Sequence, residues 1–170
     1  MRHIIAMLLQ NEAGALARVA GMFSARGYNI ESLCVAPTQD PLMSRLTLVT
    51  IGSESVVDQI IKQSRKLVDV IEVVDLSDRA YLETELVIVK LRVSPDSAAR
   101  VIDVVRHRHG LVLDETMSTR TVQIAGTGAE VNAFLDEIGQ IAEILEVVRS
   151  GSAAIESGEN CLFTPYGELT

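Results

Sequence analysis

Apolar and polar positions along the chain fall into blocks, and the order of the blocks occurs twice. After its first residue, His3–Leu9 is an unbroken apolar run of strand length, stopped by Gln10-Asn11-Glu12. Over Ala13–Arg26, Leu16, Val19, Ala20 and Phe23 recur at helical period, which predicts a helix with those four inward. Gly27 supplies the left-handed residue that commonly ends a helix. Asn29–Val35 and Ser44–Ile51 read as strands joined by a loop in which Pro37, Asp40 and Pro41 cluster. Glu54–Lys66 reads as a helix with Val57, Ile60 and Ile61 inward, and Leu67–Leu76 as a closing strand. The same order returns as a strand at Glu83–Val93, a helix at Pro95–His109, strands at Leu111–Thr116 and Arg120–Ala125, a helix at Glu130–Gln140 and a strand at Ile141–Val148. Within Pro95–His109 the inward set is Ala98, Val101, Ile102 and Val105, and Pro95 suits a first helical turn.

The two halves also match residue by residue. Gly52-Ser-Glu-Ser-Val-Val-Asp-Gln-Ile-Ile61 resembles Gly126-Thr-Gly-Ala-Glu-Val-Asn-Ala-Phe-Leu135 at an offset of 74, and Glu72-Val-Val74 recurs as Glu146-Val-Val148 at the same offset. Gly27 and Gly110 lie 83 apart, so the first unit carries about nine extra residues, at Ala36–Ser44. Two βαββαβ units predict an α+β protein of two tandem ferredoxin-like sandwiches, each an antiparallel sheet with helices on one face. The expected divisions are residues 1–77, 78–155 and a tail at 156–170, and the mixed, polar segment Ser150–Thr170 reads as largely irregular. Units of this size bury little surface alone, and each sheet is expected to leave its other face and its edges uncovered, so an oligomer is the physical expectation.

Composition narrows the function classes. Aromatics are 4% with no Trp, and 23 acidic residues against 15 basic give a net charge of −8. RNA-binding βαββαβ domains need stacking aromatics on the sheet and a basic field, and this chain has neither. Cys34 and Cys161 form no zinc or disulfide pattern, and Cys34 reads as packing. No run approaches the length of a membrane span, and the N-terminal apolar stretch reads as a strand, so a soluble cytoplasmic protein is expected. No nucleophile, metal or phosphate-loop motif is present, and neither a cofactor nor a metal is expected. His3 reads as a terminal or surface residue. His107 and His109 sit at a helix C-terminus, where cations complement the dipole.

One segment reads as a binding site. In Asn11-Glu-Ala-Gly-Ala-Leu16 an Asn and a Gly precede a small residue where a helix begins. A helix start presents unpaired N–H groups to an anion, and Gly14 with Ala15 leaves room for close approach. Asn29 offers an amide oxygen to an ammonium, and Leu16 with Ile30 offers an apolar wall, a set suited to a free amino acid. The competing reading makes Asn11 a helix cap and Gly14 a packing residue. The second unit has Val93-Ser-Pro-Asp96 at the equivalent turn and lacks the arrangement.

Asn11-Glu-Ala-Gly-Ala-Leu16, Phe23-Ser-Ala-Arg-Gly-Tyr-Asn-Ile-Glu-Ser32, Val35-Ala-Pro-Thr38 and Ser44-Arg45 resemble the ACT domain of the small regulatory subunits of acetohydroxyacid synthase (acetolactate synthase). Lys66-Leu-Val-Asp-Val70, Thr121-Val-Gln-Ile-Ala-Gly126 and Glu146-Val-Val-Arg-Ser-Gly151 extend the resemblance to about residue 155. The resemblance implies a non-catalytic regulatory subunit of branched-chain amino acid biosynthesis. It implies binding to a thiamine-diphosphate-dependent catalytic subunit, activation of that subunit, and allosteric feedback inhibition by valine or another branched-chain amino acid. It further implies a homodimer through paired ACT domains. The effector would lie between Asn11, Gly14, Ala15 and Leu16 of one chain and Asn29, Ile30 and Ala36 of its partner. A stand-alone amino-acid-sensing ACT module acting on a different enzyme is the alternative.

Overall fold

The computed structural model describes residues 1–162. The elements in chain order are β1 (Arg2–Gln10), α1 (Ala15–Ala25), β2 (Ser32–Pro37), β3 (Met43–Ile51), α2 (Glu54–Ser64), β4 (Val70–Asp75), β5 (Tyr81–Arg92), α3 (Pro95–His107), β6 (Leu111–Glu115), β7 (Thr119–Gly126), α4 (Gly128–Gly139), β8 (Glu143–Arg149) and β9 (Ala153–Glu156). The described residues form two compact units, one of residues 1–82 with the segment from residue 152 to 162 and one of residues 83–151. The fold is α+β, with two βαββαβ sheets that each carry two helices.

In the first unit the strand order is β2-β3-β1-β4, every neighbour antiparallel. The central strand β1 is buried on both faces, and its odd and even residues enter two separate cores. Ile5, Met7 and Leu9 meet Val19, Phe23, Val57 and Ile60 from the helices. Ile4 and Ala6 lie on the opposite face with Val49, Leu76 and Ala154. The α1 stripe is turned from the predicted one. Ala15, Val19, Met22 and Phe23 are buried, whereas Leu16 is 38% exposed and Ala20 only half-buried.

Three expectations are corrected here. The sheet face away from the helices is not bare in this unit, because residues 152–162 return across it. Within the segment read as irregular, Ala153–Glu156 is a strand that pairs with the start of β5, and the Ser157 amide donates to the Ala80 carbonyl. Arg45 donates to the Ala154 carbonyl (2.9 Å), Arg79 pairs with Glu156 (2.6 Å), and Leu162 packs on the Ile4 cluster. An apolar face on a small sheet is stabilised by any segment that removes it from water, and this one is supplied by the same chain. Residues 163–170 of the expected tail lie outside the described residues. Second, His3 is 2% exposed and its Nδ1 lies 3.0 Å from Asp75 Oδ2. A ring that can share a proton with a carboxylate is tolerated inside where a bare one is not. Third, β2 starts at Ser32, three residues later than its apolar pattern suggests. Gly27 is left-handed, and the Tyr28 amide folds back to the Phe23 carbonyl, which delays entry into the sheet.

In the second unit the order is β6-β7-β5-β8. Val87, Val89, Leu91, Val122 and Ile124 pack under Val101, Val105, Val131, Phe134 and Ile138. Both units carry the same irregularity where the first strand meets the last. Leu9 pairs with Val70 beyond a shift at Leu8/Leu9, and Leu91 pairs with Ile144 beyond a shift at Lys90/Leu91. The helix read from Glu130 begins earlier, at Gly128. Thr127 accepts from the Glu130 amide while the Glu130 side chain accepts from the Thr127 amide, a reciprocal cap.

Candidate functional site

Antiparallel pairing of β1 with β3 sets Leu9 against Ser44 and Gln10 against Met43. The chain leaving β1 therefore runs directly beside the β2–β3 loop. Asn11 clasps that loop. Its backbone amide donates to the Leu42 carbonyl (2.7 Å), its side-chain amide donates to the Pro41 carbonyl (2.8 Å), and its Oδ1 accepts from the Ser44 hydroxyl (3.0 Å). Asn11 is thus not the cap of α1. That position belongs to Gly14, at φ +92°, and no side chain caps the helix. Only glycine takes this conformation without strain, so the turn needs Gly14. The Ala15 amide closes the turn on the Glu12 carbonyl (3.2 Å), and the Arg18 amide makes the first helical bond to Gly14 (2.9 Å).

The result is a cavity of about 230 Å³ at the end of β1, lined by Leu9, Gln10, Asn11, Glu12, Ala15, Leu16, Val35, Ala36, Pro37 and Ser44. Of the residues expected from the sequence, Asn11, Ala15, Leu16 and Ala36 line it, and Gly14 forms the turn beside it. Ala36 does so from the same chain as Asn11. Asn29 and Ile30 are elsewhere. The Asn29 side-chain amide donates to Glu31 (2.6 Å), its carbonyl accepts from Thr50 (2.6 Å), and Ile30 packs on the helix-side core. Ser44, Val35 and Pro37 also line the cavity, with no chemical signal of their own in the sequence. Their place follows from strand register, which one sequence does not print.

The chemistry of the cavity is mixed. Leu16, Val35, Ala36 and Pro37 give an apolar wall, while Asn11 and Ser44 hold each other in one orientation. The first N–H groups of a helix have no intrahelical partners, and the dipole makes that end favourable to negative charge. The counterpart in the second unit is closed. Ser94 and Ser97 cap α3 reciprocally, and Pro95 removes one donor.

Behind the cavity, Arg18 of α1 makes two bonds to Asp69 just before β4: one from Nε to Oδ2, the other from Nη2 to Oδ1 (2.7 Å). The Asp69 side chain is 3% exposed, and its backbone carbonyl accepts from the Gln10 amide (2.9 Å). The hydrogen bonds from Arg18 hold the Asp69 carboxyl below the usual carboxylate range. Two larger cavities are present among the described residues. One of about 600 Å³ lies by β4 and the returning segment, and one of about 520 Å³ by the end of α3; ionic side chains line both. Neither pairs an apolar wall with an uncapped helix start. Among the described residues no helix is long and apolar enough to cross a membrane.

Comparison with known proteins adds the following. Residues 5–72 match the model of an AHAS small subunit-like ACT domain, and residues 84–158 match that of the small subunit of acetolactate synthase. The acetolactate synthase isozyme 3 small subunit of Escherichia coli K12 is 47% identical over 165 residues, covering 95% of this chain and 99% of that protein. The acetolactate synthase small subunit of Haemophilus influenzae is 44% identical over 162 residues, covering 94% and 98%. A crystal structure of the Thermotoga maritima acetolactate synthase small subunit superposes with a TM-score of 0.85 at 29% identity, covering 94% of this chain and 99% of that one.

Proposed function

The chain belongs to the acetolactate synthase small-subunit family, and on that premise we propose that it is the amino-acid-sensing regulatory partner of a large catalytic subunit. In this reading it binds the thiamine-diphosphate-dependent large subunit, raises its activity, and transmits feedback inhibition by valine or another branched-chain amino acid. The observation that carries the reading is the contrast between the two helix starts. The start of α1 is uncapped and borders a cavity with an apolar wall, whereas the start of α3 is capped by its own serines.

The effector's carboxylate would take the N–H groups at the start of α1, and its branched side chain the wall of Leu16, Val35 and Ala36. Asn11 and Ser44, already bonded to each other, give the site a fixed polar edge. Asn29 and Ile30 lie outside this cavity within one chain, so the reading assigns them to a second copy in a homodimer of ACT domains. The effector shifts the assembly only by the difference in its affinity for two arrangements of that pair.

The test places a carboxylate in the cavity without straining the backbone. Leu16→Glu suits a helix and needs no unusual φ. Calorimetric titration of L-valine into the full chain should give saturable binding to wild type and none to the variant. Equal binding to both overturns the assignment of the site. Activity of the large subunit, with and without this chain across a valine titration, tests the regulatory role. Unchanged activity in both series overturns it.

A further inference from the structure

We infer that Arg18 and Asp69 are positioning residues for the effector cavity: their ion pair holds the start of α1 in the place around which the cavity is built. The inference rests on reading that cavity as an amino-acid site.

Three observations lead to it. The pair bridges the first turn of α1 and the residue before β4. Asp69 is anchored at both ends, since its carboxylate takes Arg18 and its carbonyl takes the Gln10 amide. Gln10 and Ala15 both line the cavity. A guanidinium held by two bonds to a buried carboxylate is fixed in direction as well as distance.

The second observation is the glycine. A Cβ on Gly14 would stand 2.9 Å from Arg18 Nη1. A free arginine would swing aside at little cost, but this one is pinned by Asp69. The guanidinium therefore lies over the turn that opens the helix, and the missing side chain at position 14 makes room for it.

The third is the other unit. Glu143 occupies the register position that corresponds to Asp69, opposite Arg92 as Asp69 stands beside Gln10. Glu143 pairs with Arg92 of its neighbouring strand, and both side chains are 63% exposed. It is not bonded to α3. The strut to a buried carboxylate thus occurs in the unit with the uncapped helix start, and its exposed counterpart lies in the unit whose helix caps itself.

The test is a calorimetric titration of L-valine into the full chain, with a thermal midpoint recorded for each variant. Asp69→Asn and Arg18→Gln are expected to weaken valine binding tenfold or more. Arg18→Lys, which keeps a cation and one bond, is expected to recover part of the affinity. Glu130→Ala removes the reciprocal cap of α4 in the other unit, and should lower the midpoint while leaving valine affinity at the wild-type value. Wild-type affinity in Asp69→Asn and Arg18→Gln overturns the inference. So does a loss in Glu130→Ala equal to theirs, because the effect then follows general stability. Should Asp69→Asn fail to fold, Arg18→Gln, at a side chain 46% exposed, decides the question. Absence of saturable valine binding in wild type overturns the reading of the site itself, and is told apart by that first titration.

Discussion

Ending the chain after Gly151 should destabilise the first unit, although every element of its βαββαβ order remains. The returning segment covers Ile4, Ala6, Val49 and Leu76, which are 1%, 0%, 4% and 1% exposed. Full burial of a Val, Leu or Ile side chain is worth roughly 1.5–3 kcal/mol. Removing a cover from one side uncovers roughly a third to a half of the three large ones, which comes to about 3 kcal/mol. The Arg45 bond to the Ala154 carbonyl is lost as well, but Arg45 then regains water. For a unit of this size the fall in melting temperature should be on the order of 10 °C or more. Circular dichroism during heating of the full and shortened chains measures it. Ala154→Asp isolates the same contact in the full chain, since it buries a carboxylate against Ile4 and Leu76 at a site 6% exposed. Melting within about 2 °C of wild type in both variants would refute the reasoning.

Three further outcomes follow from particular contacts. Phe134→Ala, at the centre of the second core with 0% exposure, should cost about 3–5 kcal/mol, read from urea unfolding. Acid should weaken the fold through carboxylates whose pKa is depressed: Asp69 by bonds from Arg18, Glu130 by the Thr127 amide and hydroxyl, and Glu156 by bonds from Asn160 and Arg79. Their contribution is present above the unfolded carboxyl pKa of about 4 and is lost as pH falls through the lower folded values, so urea midpoints should drop below about pH 4. In Asp69→Asn that acid slope should be shallower, and an unchanged slope excludes Asp69 as a contributor.

The repeat and its two sandwiches were legible because each unit obeys simple periodicities: continuous apolar runs for buried strands, helical spacing for α2 and α3. Asn11 and Gly14 stand out in the sequence for another reason. Asn11 and Gly14 are costly choices at a strand-to-helix turn unless the turn needs them, and the structure gives both a task. The errors have physical sources. Leu16 fits a helical stripe, yet it faces the cavity and Ala15 takes its place inward, a rotation set by the left-handed turn at Gly14. Asn29 and Ile30 read as strand, but the turn through Gly27 and Tyr28 holds them outside it. His3 looked peripheral by its position in the chain, and Asp75, far along the sequence, makes its burial tolerable. The Thr127-x-x-Glu130 cap is the sequence signal for a start of α4 earlier than the apolar pattern indicates.

The path of the chain has a genetic consequence. The first unit is not finished when its own βαββαβ order ends. The chain leaves it at residue 82, builds the whole second unit, and supplies the missing cover only from residue 152. A nonsense or frameshift mutation in the codons for residues 152–162 would therefore be felt first in the half that bears the Asn11 cavity, the part translated earliest. Conversely, an amino-terminal fragment made by cutting at the boundary is not a faithful miniature of that half. Damage mapped to the codons for residues 152–162 would report on the first sheet, although the codons for Asn11 and Gly14 lie far from them in the sequence.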